Sequence, residues 1–175
     1  MCIRDRVRFD IEVRQTGNIT PDGADEAEFM ISVNPGEDLR PLAKIASGGE
    51  LSRIMLGIKS VLANKDDTDT LIFDEIDTGI SGRTAQKVSE KMALIARSHQ
   101  VICITHLPQI AAMADIHFLI EKNIKDGFTT TSINRLSDQE IITELARMLG
   151  GSQITDLVMD NAAQMKEFAD NLKKQ

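Results

Sequence analysis

Two carboxylates stand side by side at Asp74-Glu75, directly after the apolar run Leu71-Ile72-Phe73. At the carboxyl end of a buried strand, the first can hold a hydrated Mg2+ while the second polarises a water molecule. Ser47-Gly48-Gly49-Glu50 leads into Leu51, Ile54, Met55, Ile58, Val61 and Leu62, which recur at helical spacing. The two glycines would let backbone approach a ligand closely, and the free amides and dipole of a first helical turn attract an anion such as phosphate. Serine with glutamate three residues on is equally a capping box, so this element alone does not require a ligand. His106 follows a second apolar run, Val101 to Ile104. It could face the same end of a sheet as Asp74 and Glu75, which is where ligands of open parallel sheets bind. His99 and His117 have no comparable setting.

These residues need a scaffold, and the hydrophobic pattern supplies one. Val7 to Arg14 alternates apolar and polar residues, and Glu28 to Asn34 repeats the alternation around Phe29, Ile31 and Val33, which predicts two strands joined by an acidic loop. Pro35-Gly36 and Pro41 separate this hairpin from the helix that begins near Ser47, and Asp66-Asp67-Thr68-Asp69 is a polar break after that helix. Leu71 to Phe73 and Val101 to Ile104 read as buried central strands. Between them, Thr84 to Arg97 reads as a helix burying Val88, Met92, Leu94 and Ile95, after a loop punctuated by Gly79 and Gly82. A short helix through Ile110 to Ala114 and strands near His117 to Glu121 and Thr129 to Asn134 continue the alternation, so the expected fold is α/β, a parallel sheet with covering helices. Ser137-x-x-Glu140 is a capping box opening a helix that ends at Gly150-Gly151. Thr155 to Lys174 predicts a last helix, apolar at Leu157, Val158, Met165, Phe168 and Leu172.

Composition narrows the class. A chain of 175 residues with 42% hydrophobic and 27% charged residues can bury one core and excludes a disordered, collagen-like or disulfide-built molecule. No apolar run exceeds five residues, far short of the roughly 18 that cross a bilayer, and the charged N-terminus is unlike a signal peptide; the chain reads as cytosolic, with no membrane partner. Cys2 and Cys103 have neither disulfide nor metal-ligand spacing. The net charge of −7 is concentrated: Asp22, Asp25, Glu26, Glu28, Glu37 and Asp38 lie in the segment 15–39 with no basic residue among them, the pattern of a solvated loop or hairpin. No stripe of Lys and Arg marks a nucleic-acid surface.

The order of the elements is more specific than any one of them. Ala46-Ser47-Gly48-Gly49-Glu50-Leu51-Ser52-Arg53 resembles the signature motif of ABC ATPases, Leu71 to Glu75 the Walker B strand, Ile76 to Gly82 the D-loop, and Thr105-His106 the switch histidine. Glu75 to Gly82 and Ile104 to Asp115 are similar in detail to the RecN family of bacterial DNA repair ATPases, relatives of the structural-maintenance-of-chromosomes proteins. The resemblance runs from about Val7 to Gly151. It divides the chain into an unassigned tail 1–6, a C-terminal lobe of an ABC/SMC-like head over 7–151, and a C-terminal helix over 152–175 packing on the head.

The resemblance implies that ATP is sandwiched between two heads of a homodimer, with Ser47, Gly48, Gly49 and Glu50 of one head closing over nucleotide held by the other. Asp74 would act on Mg2+, Glu75 would orient or deprotonate the attacking water, and His106 would touch the γ-phosphate. Asp77 would link the two sites across the dimer. The resemblance also implies a role in joining or holding DNA at double-strand breaks in the bacterial cytoplasm, at the nucleoid, through a longer protein.

One part is missing. No Gly-x-x-x-x-Gly-Lys-Ser/Thr occurs; the nearest match, Gly57-Ile58-Lys59-Ser60, lies within a helical pattern and lacks the first glycine. No sustained heptads occur either. The expectation is a lobe whose Walker A loop comes from a missing N-terminal lobe, inactive as an ATPase alone. Two alternatives stand beside it: a non-catalytic dimerisation or partner-binding lobe, against which Glu75 argues, and a transporter nucleotide domain, from which Glu50-Leu51-Ser52-Arg53 departs. A serine hydrolase fails because Gly79-Ile80-Ser81-Gly82 is not the Gly-x-Ser-x-Gly elbow. Nicotinamide binding fails for want of Gly-x-Gly-x-x-Gly.

Overall fold

The computed structural model describes residues 7–33, 36–44, 47–62, 68–125 and 128–174. The tail 1–6 with Cys2, Asn34 and Pro35, Ala46 of the signature stretch, and Asp66 and Asp67 of the polar break lie outside the described residues. The chain divides into two units, residues 1–51 and 52–175.

In the first unit, β1 (Arg8–Thr20) and β2 (Gly23–Ser32) form a long antiparallel hairpin, and β3 (Arg40–Pro41) pairs with the end of β2. The strands run farther than the alternation predicts, because the segment expected as a loop is itself paired. Thr16 Oγ1 donates to the Ala24 carbonyl at 3.0 Å and Thr20 Oγ1 to the Gly23 carbonyl at 2.9 Å. Gly23, at φ 114°, supplies the turn conformation that an L side chain resists. Phe9 stacks on Phe29 with ring centroids 5.6 Å apart.

The helix α1 (Gly48–Leu62) begins in the first unit and continues into the second. In the second unit, β4 (Thr70–Phe73) pairs in parallel with β5 (Gln100–Cys103), in the register Thr70 with Gln100 through Phe73 with Cys103. The helix α2 (Gly82–Ile95) buries Ala85, Val88, Met92 and Ile95 at three- and four-residue intervals. These join Leu71, Phe73, Leu56 and the fully buried Ile76 in one apolar cluster. Leu94, expected in that core, is exposed.

Two expectations are corrected here. β4 and β5 are not buried on both faces: Leu71 and Phe73 are buried, whereas the alternate residues Ile72 and Ile102 are 66% and 45% exposed. Side chains alternate along a strand, so every second residue points away from the cluster. The strands after β5 do not extend the parallel pair either. β6 (Phe118–Lys125) and β7 (Phe128–Arg135) form a separate antiparallel hairpin, since two residues between strands allow a hairpin return but no parallel crossover.

A second cluster joins α3 (Pro108–Ala111), α4 (Asp138–Gly150) and α5 (Asp156–Lys173) through Ala112, Met113, Ile141, Leu145, Ala162 and Ala169. The capping box is formed: the Ser137 amide and hydroxyl both donate to Glu140 Oε2 at 2.7 Å. Gly151, at φ 63°, ends α4. Lys166 Nζ donates to the carbonyls of Ala112 and Ala114 and pairs with Asp170 at 2.8 Å, while Lys173 Nζ pairs with Asp115 at 2.7 Å. The last helix therefore packs on α3 and α4, although Leu157 and Phe168, expected on its apolar face, are exposed.

Candidate functional site

The parallel register fixes the site. Because Phe73 pairs with Cys103 and the Ile104 amide donates to the Phe73 carbonyl at 3.0 Å, the chain leaves both strands at the same end. Asp74-Glu75 follows one strand and Thr105-His106 the other, as the crevice rule for parallel sheets requires of a ligand site.

Asp74 and Glu75 are exposed. The Glu75 amide donates to Asp74 Oδ1 at 2.9 Å, which leaves the rest of the Asp74 carboxylate toward solvent. Glu75 has φ 55° and is the one non-glycine residue with positive φ among the described residues. That left-handed conformation costs a side chain about 1–2 kcal/mol, and such strain concentrates at functional positions. Ile76, fully buried, anchors the turn immediately after it.

Two residues of α1 hold this turn from below. Ser52 Oγ donates to the Asp74 carbonyl at 2.9 Å, and Arg53 Nη1 donates to the carbonyls of Ile76 and Thr78, both at 2.9 Å. Neither residue stands out as a site residue from spacing alone; the signal is their place in the first turns of a helix whose N-terminal residues already carry a motif.

Asp77 is the buried member of the group. Its Oδ2 accepts from the Thr105 hydroxyl at 2.6 Å and the His106 amide at 2.9 Å, and lies 3.0 Å from His106 Nδ1. Burial opposes its charge, but the Thr105 hydroxyl, the His106 amide and the His106 ring together hold its carboxyl below the ordinary aspartate value. Thr105 is a residue that sequence reasoning missed, and its Oγ1 also accepts the Leu107 amide at 3.0 Å at the entrance to α3.

The charge at this end of the pair is negative. Burial pushes the Cys103 thiol up to about 12, and the Asp77 and Asp74 carboxylates add to the shift. Among the described residues no three metal-ligating side chains converge. The exposed Asp74 carboxylate, beside Glu75 in a negative field, fits a hydrated Mg2+ held by one or two carboxylates and completed by ligand oxygens.

Ser47, Gly48, Gly49 and Glu50 open α1, with the Leu51 amide donating to the Ser47 carbonyl at 3.0 Å. They belong to the first unit, whereas Asp74, Glu75, Asp77 and His106 form one group in the second. Among the described residues no helix is long and apolar enough to cross a membrane.

No protein-family model matches the chain. The chain is 50% identical over 159 residues to the DNA repair protein RecN of Bacillus subtilis, which covers 91% of this chain and 28% of that protein. It is 43% identical over 173 residues to the DNA repair protein RecN of Halalkalibacterium halodurans, covering 97% of this chain and 31% of that protein. The chain thus spans under a third of the length of these curated relatives. In structure it is similar to the Smc head domain with a coiled coil and joint from Pyrococcus yayanosii, with a TM-score of 0.54 and 21% identity over 78% of this chain and 25% of that one. The fold is that of an SMC-type head: α/β, with an antiparallel hairpin, a parallel pair and C-terminal helices.

Proposed function

On the premise that this chain belongs to the RecN family, we propose that it is the C-terminal lobe of an ATP-hydrolysing head that serves DNA double-strand break repair in the bacterial cytoplasm, at the nucleoid. The observation that carries the reading is the shared end of β4 and β5, which puts Asp74-Glu75 beside Asp77 and Thr105-His106.

In this reading Glu75, exposed and held at φ 55°, accepts a proton from, or orients, the attacking water. Asp74 holds Mg2+ through water; the ion, when bound, neutralises charge developing on the phosphates. His106, exposed at the tip of β5, reaches the γ-phosphate. Ser47, Gly48, Gly49 and Glu50 present backbone amides at the start of α1 to nucleotide bound by a second head. The loop from Ile76 to Gly82 faces that second head, and Asp77, buried against Thr105 and His106 of its own lobe, links the two sites through that loop.

The phosphate-cradling loop belongs to another segment of the longer protein, the Walker A lobe. The uncovered face of the parallel pair, with Ile72 and Ile102 exposed, is the kind of apolar surface that such a lobe would cover. DNA engages the whole protein rather than this lobe, whose charge of −7 offers no phosphate-binding stripe.

The test is reconstitution. This chain alone should hydrolyse no ATP; mixed with the Walker A segment of the same protein it should form a complex that does, and Ile72→Lys should block the complex while leaving the lobe folded. Hydrolysis by the lobe alone, abolished by Glu75→Gln, would contradict the proposal.

A further inference from the structure

Lys166 of α5 ends against the backbone that follows α3. Its Nζ donates to the Ala112 carbonyl at 3.3 Å, the Ala114 carbonyl at 3.0 Å and Asp170 Oδ1 at 2.8 Å, and its side chain is 17% exposed. An ammonium has three hydrogens, so each has an acceptor, and two of the three are carbonyls of a distant stretch of chain. An exposed ion pair is worth little because water competes for both ends; a shielded ammonium with all its donors placed fixes where those carbonyls lie. Two turns on, Lys173 adds an outer tie, pairing with Asp115 at 2.7 Å and Asp170 at 3.1 Å.

Those carbonyls close the stretch that begins with Thr105-His106. The helix within it, α3, is a single turn, Pro108–Ala111, and one turn does not hold itself together, because its first hydrogen bonds cost more chain entropy than they return. It is held from outside at both ends. At the front, Asp77 Oδ2 accepts from the Thr105 hydroxyl and the His106 amide, and the Leu107 amide donates to Thr105 Oγ1. At the rear stands Lys166. Between them the stretch joins the two apolar clusters: Ile110 is buried with Phe73 and Ile76, and Ala112 and Met113 with Leu145 and Ala169.

We propose that Lys166 is a positioning residue: through the Ala112 and Ala114 carbonyls it fixes the stretch from Thr105 to Ala114, so that the C-terminal helix sets where His106 stands at the end of β5. Its effect on turnover presupposes the ATPase reading above; its effect on the chain does not. The last helix, which carries none of the ATPase motifs, is then part of what holds the site. Lys166→Met isolates the contribution, since it keeps the aliphatic stem in place and removes the ammonium, leaving two carbonyls without that donor.

The experiment uses the full-length protein. Backbone hydrogen exchange without nucleotide, read peptide by peptide by mass spectrometry, is compared for the parent and Lys166→Met. The expected result is exchange at least about 10-fold faster in the peptide spanning 104–114, the scale of lost hydrogen bonds to a charged donor, with α1 and the β1–β2 hairpin unchanged. In the same variant kcat should fall about 10-fold with KM for ATP unchanged, because His106 is displaced and nucleotide held by other segments is not. Lys166→Arg, which keeps a charged donor at the carbonyls, should recover most of both. Parent-like exchange in 104–114 overturns the proposal, as does a rise spread evenly over the lobe, which is a loss of stability and not of position. Faster local exchange with parent turnover overturns it too. If Lys166→Met does not fold, Asp170→Asn removes the charge that holds both ammoniums and should give the same pattern at smaller size; no local rise there also overturns it. Should the exchange be as expected while the parent protein hydrolyses no ATP, the tie between Lys166 and the His106 stretch stands and the ATPase reading falls.

Discussion

The guanidinium of Arg53 donates through one nitrogen, Nη1, to the carbonyl oxygens of both Ile76 and Thr78 at 2.9 Å. A helix residue thus closes the turn that carries Glu75 and Asp77, and Ser52 adds a third bond to the Asp74 carbonyl. Arg53→Ala is expected to lower the stability of the lobe by about 1–2 kcal/mol, since hydrogen bonds to a charged donor are lost and a partly buried carbonyl loses its partner. Arg53→Lys should recover only part of this, because an ammonium cannot reproduce the fixed geometry of the guanidinium. Urea unfolding measures both, and faster amide exchange at Thr78 and Ile80 would locate the loss in the turn.

His117 gives the lobe a pH dependence above the carboxylate range. Burial pushes its ring below the ordinary histidine value, the Lys166 and Lys173 ammoniums push it further, and the Ala114 carbonyl and Asp170 oppose them in part. Its Nε2 is buried and has no hydrogen-bond partner among the described residues. The native ring stays neutral where the unfolded chain would take a proton, so stability is full above about pH 6.5, the unfolded value. It falls as pH drops through that value, until the native ring protonates too. His117→Gln should flatten this slope in denaturant titrations at pH 5 to 8; an unchanged slope would assign it elsewhere.

Glu75 carries a conformational cost that glycine would not. Glu75→Gly at φ 55° should raise the stability of the lobe by about 1 kcal/mol in the same unfolding assay. A loss of stability instead would mean that the glutamate side chain contributes more to folding than its backbone costs.

Much of this was legible in the residues themselves. Alternation around Phe9, Ile11, Phe29 and Ile31 marks the hairpin, the Ser137–Glu140 spacing marks the start of α4, and the apolar runs ending at Asp74-Glu75 and Thr105-His106 mark the parallel pair. What pattern could not reach is relational. An apolar run such as Leu71-Ile72-Phe73 has the composition of a strand buried on both sides, and only the number of neighbouring strands reveals that Ile72 is uncovered. Acidic residues between Gln15 and Glu28 read as a loop because side-chain charge says nothing about backbone pairing. Thr105, Ser52 and Arg53 fall within the motif stretches, but what each holds comes from contacts across more than 20 positions, which spacing does not reveal.

The central claim is that Glu75 activates water for ATP hydrolysis in a head of which this chain is one lobe. Its most direct test is the ATPase rate and ATP binding of the full-length protein with Glu75→Gln, an exchange that removes a proton acceptor and little else. The prediction is a fall in turnover of at least about 100-fold, the scale of a lost general base, with ATP still bound and the heads still associated. Turnover at the parent rate would contradict it.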